Sequence, residues 1–265
     1  MAIPAGRVSS SPAAAADLYL AAFQARWDAM RSPGRPHVDE PGVCGLLGGS
    51  EDPRVRLLVT DDRAHDVLAG LLPGARAGLV SIFDTAQRCV QLADRRLGWS
   101  ADSVRAMVCR DLATVPVLTL PDELTLRPVQ RLADDGPGGV ALADAVATAV
   151  SASPAITEPP AAFAAFLRSL PPPFRLFAAV DPAGVVRATS GCGVFAGYAT
   201  VIFVNTAPGW RGRGIGQAMT AQALRAGLRS GARCACLDAS AAGASIYRRL
   251  GFADVGTLTR FLRPG

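Results

Sequence analysis

The segment FVNTAPGWRGRGIGQAM (203–219) carries the densest chemistry in the chain. Glycines at 212, 214 and 216 remove every alternate side chain, so backbone N–H groups can approach an anion closely. An apolar helix is expected to start directly after them. Its N-terminus would add partial positive charge to the full charges of Arg211 and Arg213. A loop of this kind is suited to a pyrophosphate. A dinucleotide fold would need G-x-G-x-x-G immediately after a strand, with an acid about 20 residues on. Asp238 does follow Gly216 by 22 residues, but the third glycine is missing and Ala207-Pro-Gly-Trp210 separates the loop from its strand.

Other reactive groups are sparse. The only histidines are His37 and His65, which leaves a zinc site or a Ser-His-Asp triad poorly supported, so no metal is expected. The six cysteines (Cys44, Cys89, Cys109, Cys192, Cys234, Cys236) form no CxxC pair and read as buried free thiols of a cytoplasmic, reducing compartment. All 27 basic residues are Arg, so no lysine side chain is available for Schiff-base chemistry or acetylation.

Two motifs resemble those of one family. Pro208-x-x-Arg211-Gly212-x-Gly214-Ile215-Gly216 is similar to the acyl-CoA-binding motif of the GCN5-related N-acetyltransferases, Q/R-x-x-G-x-G/A. Further on, Ser240-x-x-Gly243-x-x-x-Tyr247-Arg-Arg-Leu-Gly251-Phe252 resembles the second signature, N-x-x-A-x-x-x-Y-x-x-x-G-F. The resemblance spans residues 121–265 and does not reach 1–120. It implies acetyl-CoA as the acyl donor. The backbone of Val204, Asn205 and Thr206 would bind the pantetheine arm, and the N–H groups of Arg211, Gly212, Arg213, Gly214, Ile215 and Gly216 would cradle the pyrophosphate. The next strand would splay away to leave a slot for the thioester. Tyr247 would protonate the departing thiolate, a role suited to a phenol with an ordinary pKa of about 10. Ser240 replaces the usual Asn and Gly243 the usual Ala. Ser240 is retained beside Tyr247 as a catalytic residue, hydrogen-bonding the pantetheine or the thiolate. Relatives often carry a Glu on the strand leading to the loop, and ATVIFVNT (199–206) has no acid. The proton acceptor is left open between water, Asp238, Glu158 and none at all.

The charge distribution agrees with an anionic ligand in the second half. Residues 1–120 balance 13 Arg against 13 acids, whereas 205–265 hold 9 Arg against Asp238 and Asp254. Few aromatics and no finger spacing argue against nucleic acid, and no run of about 20 apolar residues suggests a membrane span.

These residues need a scaffold of alternating helices and strands. The pattern predicts a helix over 13–31, a loop over 32–49, strands at 55–60 and 78–83, and helices at 61–72, 85–97 and 101–112. Beyond a boundary near 118–123 it predicts strands at 124–129, 175–181, 185–194, 199–206, 234–239 and 255–263. Helices are expected at 139–151, 161–170, 214–229 and 242–249. The expected fold is therefore α/β in two domains. Residues 1–120 form an N-terminal α/β domain, with room for a diverged copy of the same fold. Residues 121–265 form an acetyltransferase-type domain, a mixed, mostly antiparallel sheet flanked by helices. Acetyl transfer from acetyl-CoA to a primary amine of a small molecule or peptide, in a ternary complex, is the leading expectation. A CoA-binding sensor or scaffold with little turnover is the alternative. Residues 1–120 would serve as a lid, a homodimer contact or support, with Asp39, Glu40, Glu51, Asp52, Asp61, Asp62 and Asp66 as candidates to hold a cationic acceptor.

Overall fold

Eleven strands form one continuous sheet in the computed structural model, which describes residues 12–30, 36–49, 54–129, 136–151 and 173–263 and single positions 161, 165 and 167. The strands are β1 (His37–Glu40), β2 (Val43–Leu46), β3 (Arg54–Val59), β4 (Ala77–Phe83), β5 (Ser100–Cys109), β6 (Thr125–Pro128), β7 (Phe174–Val180), β8 (Val186–Phe195), β9 (Tyr198–Thr206), β10 (Cys234–Ala239) and β11 (Ala253–Arg263). The helices are α1 (Pro12–Ala29), α2 (His65–Leu71), α3 (Gln87–Leu97), α4 (Gly136–Ser151), α5 (Ile215–Arg229) and α6 (Ala244–Arg249). The expected helix at 161–170 falls mostly outside the described residues. No described helix is long and apolar enough to cross a membrane.

The sheet order is β1-β2-β3-β4-β11-β5-β10-β9-β8-β7-β6. Pairs β3–β4 and β9–β10 are parallel, and all other neighbours are antiparallel. The order repeats from the two ends inward: β1 to β5 correspond to β7 to β11. Helices α2 and α5 each bridge a parallel pair, and α3 and α6 each lead into the last strand of a half. The N-terminal half thus repeats the element order of the C-terminal half. Those last strands are exchanged at the centre. β11 lies between β4 and β5, and β5 lies between β11 and β10.

Two local expectations are corrected. Residues 101–112 were expected to be helical, but Ser100–Cys109 is β5. Its Val104, Met107 and Val108 sit at helical spacing because both faces of a central strand are apolar. Val104, Ala106 and Val108 pack under α1, while Met107 and Cys109 join the core under α5. Within 32–49, the stretch read as loop holds the β1–β2 hairpin, turned at Gly42 with φ +85°.

Helix α1 crosses the central strands on the face opposite α2, α3, α5 and α6. Its Tyr19, Phe23 and Trp27 pack on Leu58, Phe83, Val104, Ala106 and Leu258. On the same face Arg260 of β11 is 9% exposed and forms a bidentate pair with Asp102 of β5. That pair ties the two exchanged strands together. Because the halves share these strands, urea unfolding followed by tryptophan fluorescence and by circular dichroism is expected to give one coincident transition. Asp102→Ala, which leaves the Arg260 charge without its carboxylate, is expected to lower stability by about 1–3 kcal/mol, less than for a fully enclosed pair because Asp102 is partly exposed.

Candidate active site

Parallel pairing between β9 and β10 is brief. Tyr198, Ala199 and Thr200 face Cys234, Ala235 and Cys236, and there the pairing ends. Beyond it β9 stays on β8 as far as Thr206, and β10 stays on β5 as far as Ala239. The two strands are drawn apart by their outer partners, and the edge of β9 from Val201 onward has no strand beside it among the described residues. Residues 202–206 are accordingly half-buried. The expected splay is present.

The open edge is also bulged. Register with β8 shifts between Thr189/Asn205 and Gly191/Ile202, and Phe203 takes the left-handed φ of +55°. A bulky residue there is strained and needs outside support. Thr189 supplies it, donating its hydroxyl to the Phe203 carbonyl at 2.7 Å. The Ser190 hydroxyl, opposite the bulge, is buried with no hydrogen-bond partner among the described residues. Nothing in the sequence marks this bulge, since no glycine stands at the left-handed position.

The glycine loop lies just past the open edge. A single 3₁₀ turn (Pro208–Trp210) leads into it, and Gly214 caps α5 with φ +76° and no side-chain cap. Gly212 (φ +78°) and Gly214 are needed for their backbone angles, and a Cβ on either would point into open space. Gly216 differs: its Cβ would lie 3.4 Å from the Thr206 hydroxyl, so small size lets α5 start close against β9. No N–H from Gly212 to Gly216 has a protein acceptor among the described residues. These unpaired donors and the uncapped end of a 15-residue helix form a cradle fit for an anion.

The loop arginines have partners of their own. Arg211 Nε donates to the Thr206 carbonyl at 2.9 Å. Arg213 is ion-paired with Glu123 and stacks over Trp210 at 4.7 Å, with Arg187 5.4 Å from the same ring. The positive charge of Arg213 is therefore partly balanced before any ligand arrives.

Tyr247 sits on α6, packed edge-on to Phe252 with ring centroids 6.0 Å apart. Burial pushes its phenol up to about 12, so it carries its proton throughout the neutral range. The Ser240 hydroxyl accepts from the Gly243 N–H at 3.2 Å and shapes the turn before α6. Of the other expected residues, Val204 and Asn205 lie on the open stretch of β9. The Asn205 side-chain amide donates to the Ala149 carbonyl of α4, while its backbone lies in register with Thr189 of β8.

Asp238 lies on β10 within the splay, on the α1 side. Its carboxylate accepts a 2.5 Å hydrogen bond from Tyr19 Oη. Enclosure pushes its pKa up, while the Tyr19 hydrogen bond and the charges of Arg260 and Arg26 act in the opposite direction. Tyr19 escaped sequence reasoning because 219 residues separate the pair.

The first-half acids lie elsewhere. Asp39 and Glu40 are on β1 at the far sheet edge, Asp61 pairs with Arg63, Asp62 accepts from the Cys89 N–H, and Asp66 pairs with His65. Glu51, Asp52 and Glu158 lie outside the described residues.

The comparisons with known proteins agree with this geometry. The acetyltransferase (GNAT) domain family matches residues 172–254, which carry the splay, the cradle and Tyr247. The chain is similar in fold to a GCN5-related N-acetyltransferase from Kribbella flavida, with 20% identity and a TM-score of 0.61, covering 93% of this chain and 96% of that one. It is also similar to a GCN5-related N-acetyltransferase-like protein from Streptococcus suis, with 16% identity and a TM-score of 0.57, covering 91% and 93%. A tandem GNAT protein from the clavulanic acid biosynthesis pathway aligns with 14% identity and a TM-score of 0.50, covering 92% and 86%. No curated protein matches.

The bulge gives a direct test of this geometry. Thr189→Val removes the hydrogen bond that supports Phe203 and is expected to cost about 1–2 kcal/mol, measured by urea denaturation.

Proposed function

We propose that this chain, whose residues 172–254 form a GNAT acetyltransferase domain, transfers an acetyl group from acetyl-CoA to a primary amine by direct attack in a ternary complex. One observation carries the reading: the open edge of β9 leads straight into an uncapped helix N-terminus with five consecutive unpaired loop N–H groups. That continuity suits an extended ligand with a polar amide arm at one end and a pyrophosphate at the other.

Each part of the chain then has a task. The backbone of Val204, Asn205 and Thr206 binds the pantetheine amides, although the Thr206 carbonyl is shared with Arg211. The N–H groups of Gly212 to Gly216 hold the pyrophosphate, since that of Arg211 donates to the Pro208 carbonyl at 3.3 Å. Bound acetyl-CoA supplies the activated acyl group. The bulge at Phe203 interrupts the ladder with β8, and a fixed backbone N–H freed there would be suited to polarise a carbonyl. Tyr247, protonated and close-packed, donates to the departing sulfur, and Ser240 keeps α6 in register for it.

Direct attack is favoured over an acyl-cysteine route by the thiols. Cys192 and Cys236 are buried and pushed up to about 12, and Cys44, Cys89, Cys109 and Cys234 to about 11, so none is a ready nucleophile at neutral pH. Residues 1–120 are proposed as a repeat that has lost CoA binding. Its strands β3 and β4 stay paired over all six positions from Arg54/Ala77 to Val59/Ile82, leaving no slot. The following turn places Asp61 and Asp62 where the other half has its glycine loop, and their charge would repel a phosphate. The proposed location is cytoplasmic, and the proposed acceptor is a small-molecule or peptide amine.

Calorimetry with acetyl-CoA and release of free thiol on an amine panel test the reading. Gly214→Val, forced out of its left-handed conformation, is expected to weaken acetyl-CoA binding at least ten-fold. Tyr247→Phe is expected to lower kcat about 10- to 100-fold while leaving the KM for acetyl-CoA within a factor of about two. Unchanged affinity in the glycine variant, or unchanged kcat in the tyrosine variant, would contradict these assignments.

A further inference from the structure

Strands β9 and β10 form the two walls of the slot, and Asp238 is the one acid on either of them. It lies two residues beyond Cys236, the last residue of β10 paired with β9, so its carboxylate stands in the splay rather than in the closed sheet. Its face is the one covered by α1, opposite α5 and the glycine loop. Tyr19 fixes the enclosed carboxylate through Oδ1 at 2.5 Å, while Oδ2 accepts no hydrogen bond from the described residues and keeps its lone pairs to offer.

The charged and titratable groups around it come from every neighbouring element. Tyr19 and Arg26 lie on α1, Arg260 on β11, Asp102 on β5, and Cys236 on β10 itself. Arg260 is already committed to Asp102. Arg26 stacks on Trp27 at 5.1 Å, and its buried Nε has no acceptor. Neither arginine forms an ion pair with Asp238 at contact distance. The carboxylate is thus held by a neutral phenol and is free of a direct cationic partner, the arrangement wanted in a group that must attract a cation and take a proton from it.

Resting on the acetyltransferase reading, we infer that Asp238, positioned by Tyr19 of the N-terminal half, is the proton acceptor for the amine substrate. The ammonium form gives one proton to an Asp238 oxygen. The freed nitrogen pair bonds to the thioester carbonyl carbon, and the C–S bond breaks with its electrons on sulfur. The second proton leaves nitrogen as sulfur is protonated through Tyr247, and Asp238 returns its proton to water. The products are an N-acetyl amide, free CoA thiol and one released proton. Tyr19 is a positioning residue in this scheme.

The experiment measures thiol release from acetyl-CoA across pH 5–9 with tyramine, spermidine and an alanine-terminal tripeptide, alongside calorimetric binding of acetyl-CoA. Asp238→Asn is expected to cut kcat/KM for the best amine about 10²–10³-fold, with acetyl-CoA affinity within a factor of about two. Tyr19→Phe is expected to keep measurable activity but move the acidic limb of the kcat/KM profile to higher pH. The phenol stabilises the ionised carboxylate, so its loss raises the pKa through which activity falls on acidification. Wild-type turnover and pH profile in Asp238→Asn would overturn the inference and leave the transferase standing. Acetyl-CoA binding without thiol release from any amine would overturn it in favour of a binding module, and absence of acetyl-CoA binding would remove the reading beneath it. If Asp238→Asn melts below the assay temperature, Tyr19→Phe decides, and an unmoved acidic limb overturns the inference.

Discussion

Parallel pairing between β9 and β10 lasts three residues, and the rest of the site depends on its ending there. A strand edge left open inside a sheet exposes backbone donors and acceptors that must find water or a ligand. It persists because each strand is paired on its other side, β9 by β8 and β10 by β5. The bulge at Phe203, supported by Thr189, belongs to the same constraint. It places strain where the ladder has one partner.

The N-terminal half shows what the same topology does without that break. Strands β3 and β4 occupy the corresponding places and remain paired throughout, and the loop after β3 ends in carboxylates instead of glycines. Asp61 and Asp62 cap the helices that follow, so charge that would oppose a phosphate is spent on local structure. This half supports the other mainly through β5, the outer brace of β10, and through α1, which covers the splay on one face.

Legibility in the sequence followed the range of the interactions. The glycine loop, the helix after it and the signature around Tyr247 are contiguous, and each showed in residue type and spacing. The strand and helix order of 172–254 was readable for the same reason, since hydrophobic period and turn residues are local signals. β5 was misread as helix because burial on both faces erased its period of two. The β1–β2 hairpin was hidden among prolines and glycines that look like loop. The Tyr19–Asp238 hydrogen bond and the Arg260–Asp102 pair join residues 219 and 158 positions apart, so only the exchange of β5 and β11 reveals them. The acids of the first half carried the right charge for an amine but sit at the far sheet edge or in helix caps, because charge count says nothing about position.

The strand exchange also fixes which halves can work together. β5 is at once the last strand of the first half and the strand that pairs β10 on the side away from β9. β11 in turn closes the first half against β4, and the buried Arg260 guanidinium locks β11 to β5 through Asp102. A displacement of β5 would therefore move β10, the carboxylate of Asp238 and the width of the slot together. Tyr19 adds a second link from the same half, since α1 is seated on β5 and β11 while its phenol is fixed to β10. In such an arrangement the N-terminal half is constrained although its strands β3 and β4 leave no slot. Its core must still present one strand and one helix in register with the other half, and this packing constraint is enough to retain a repeat without a glycine loop of its own.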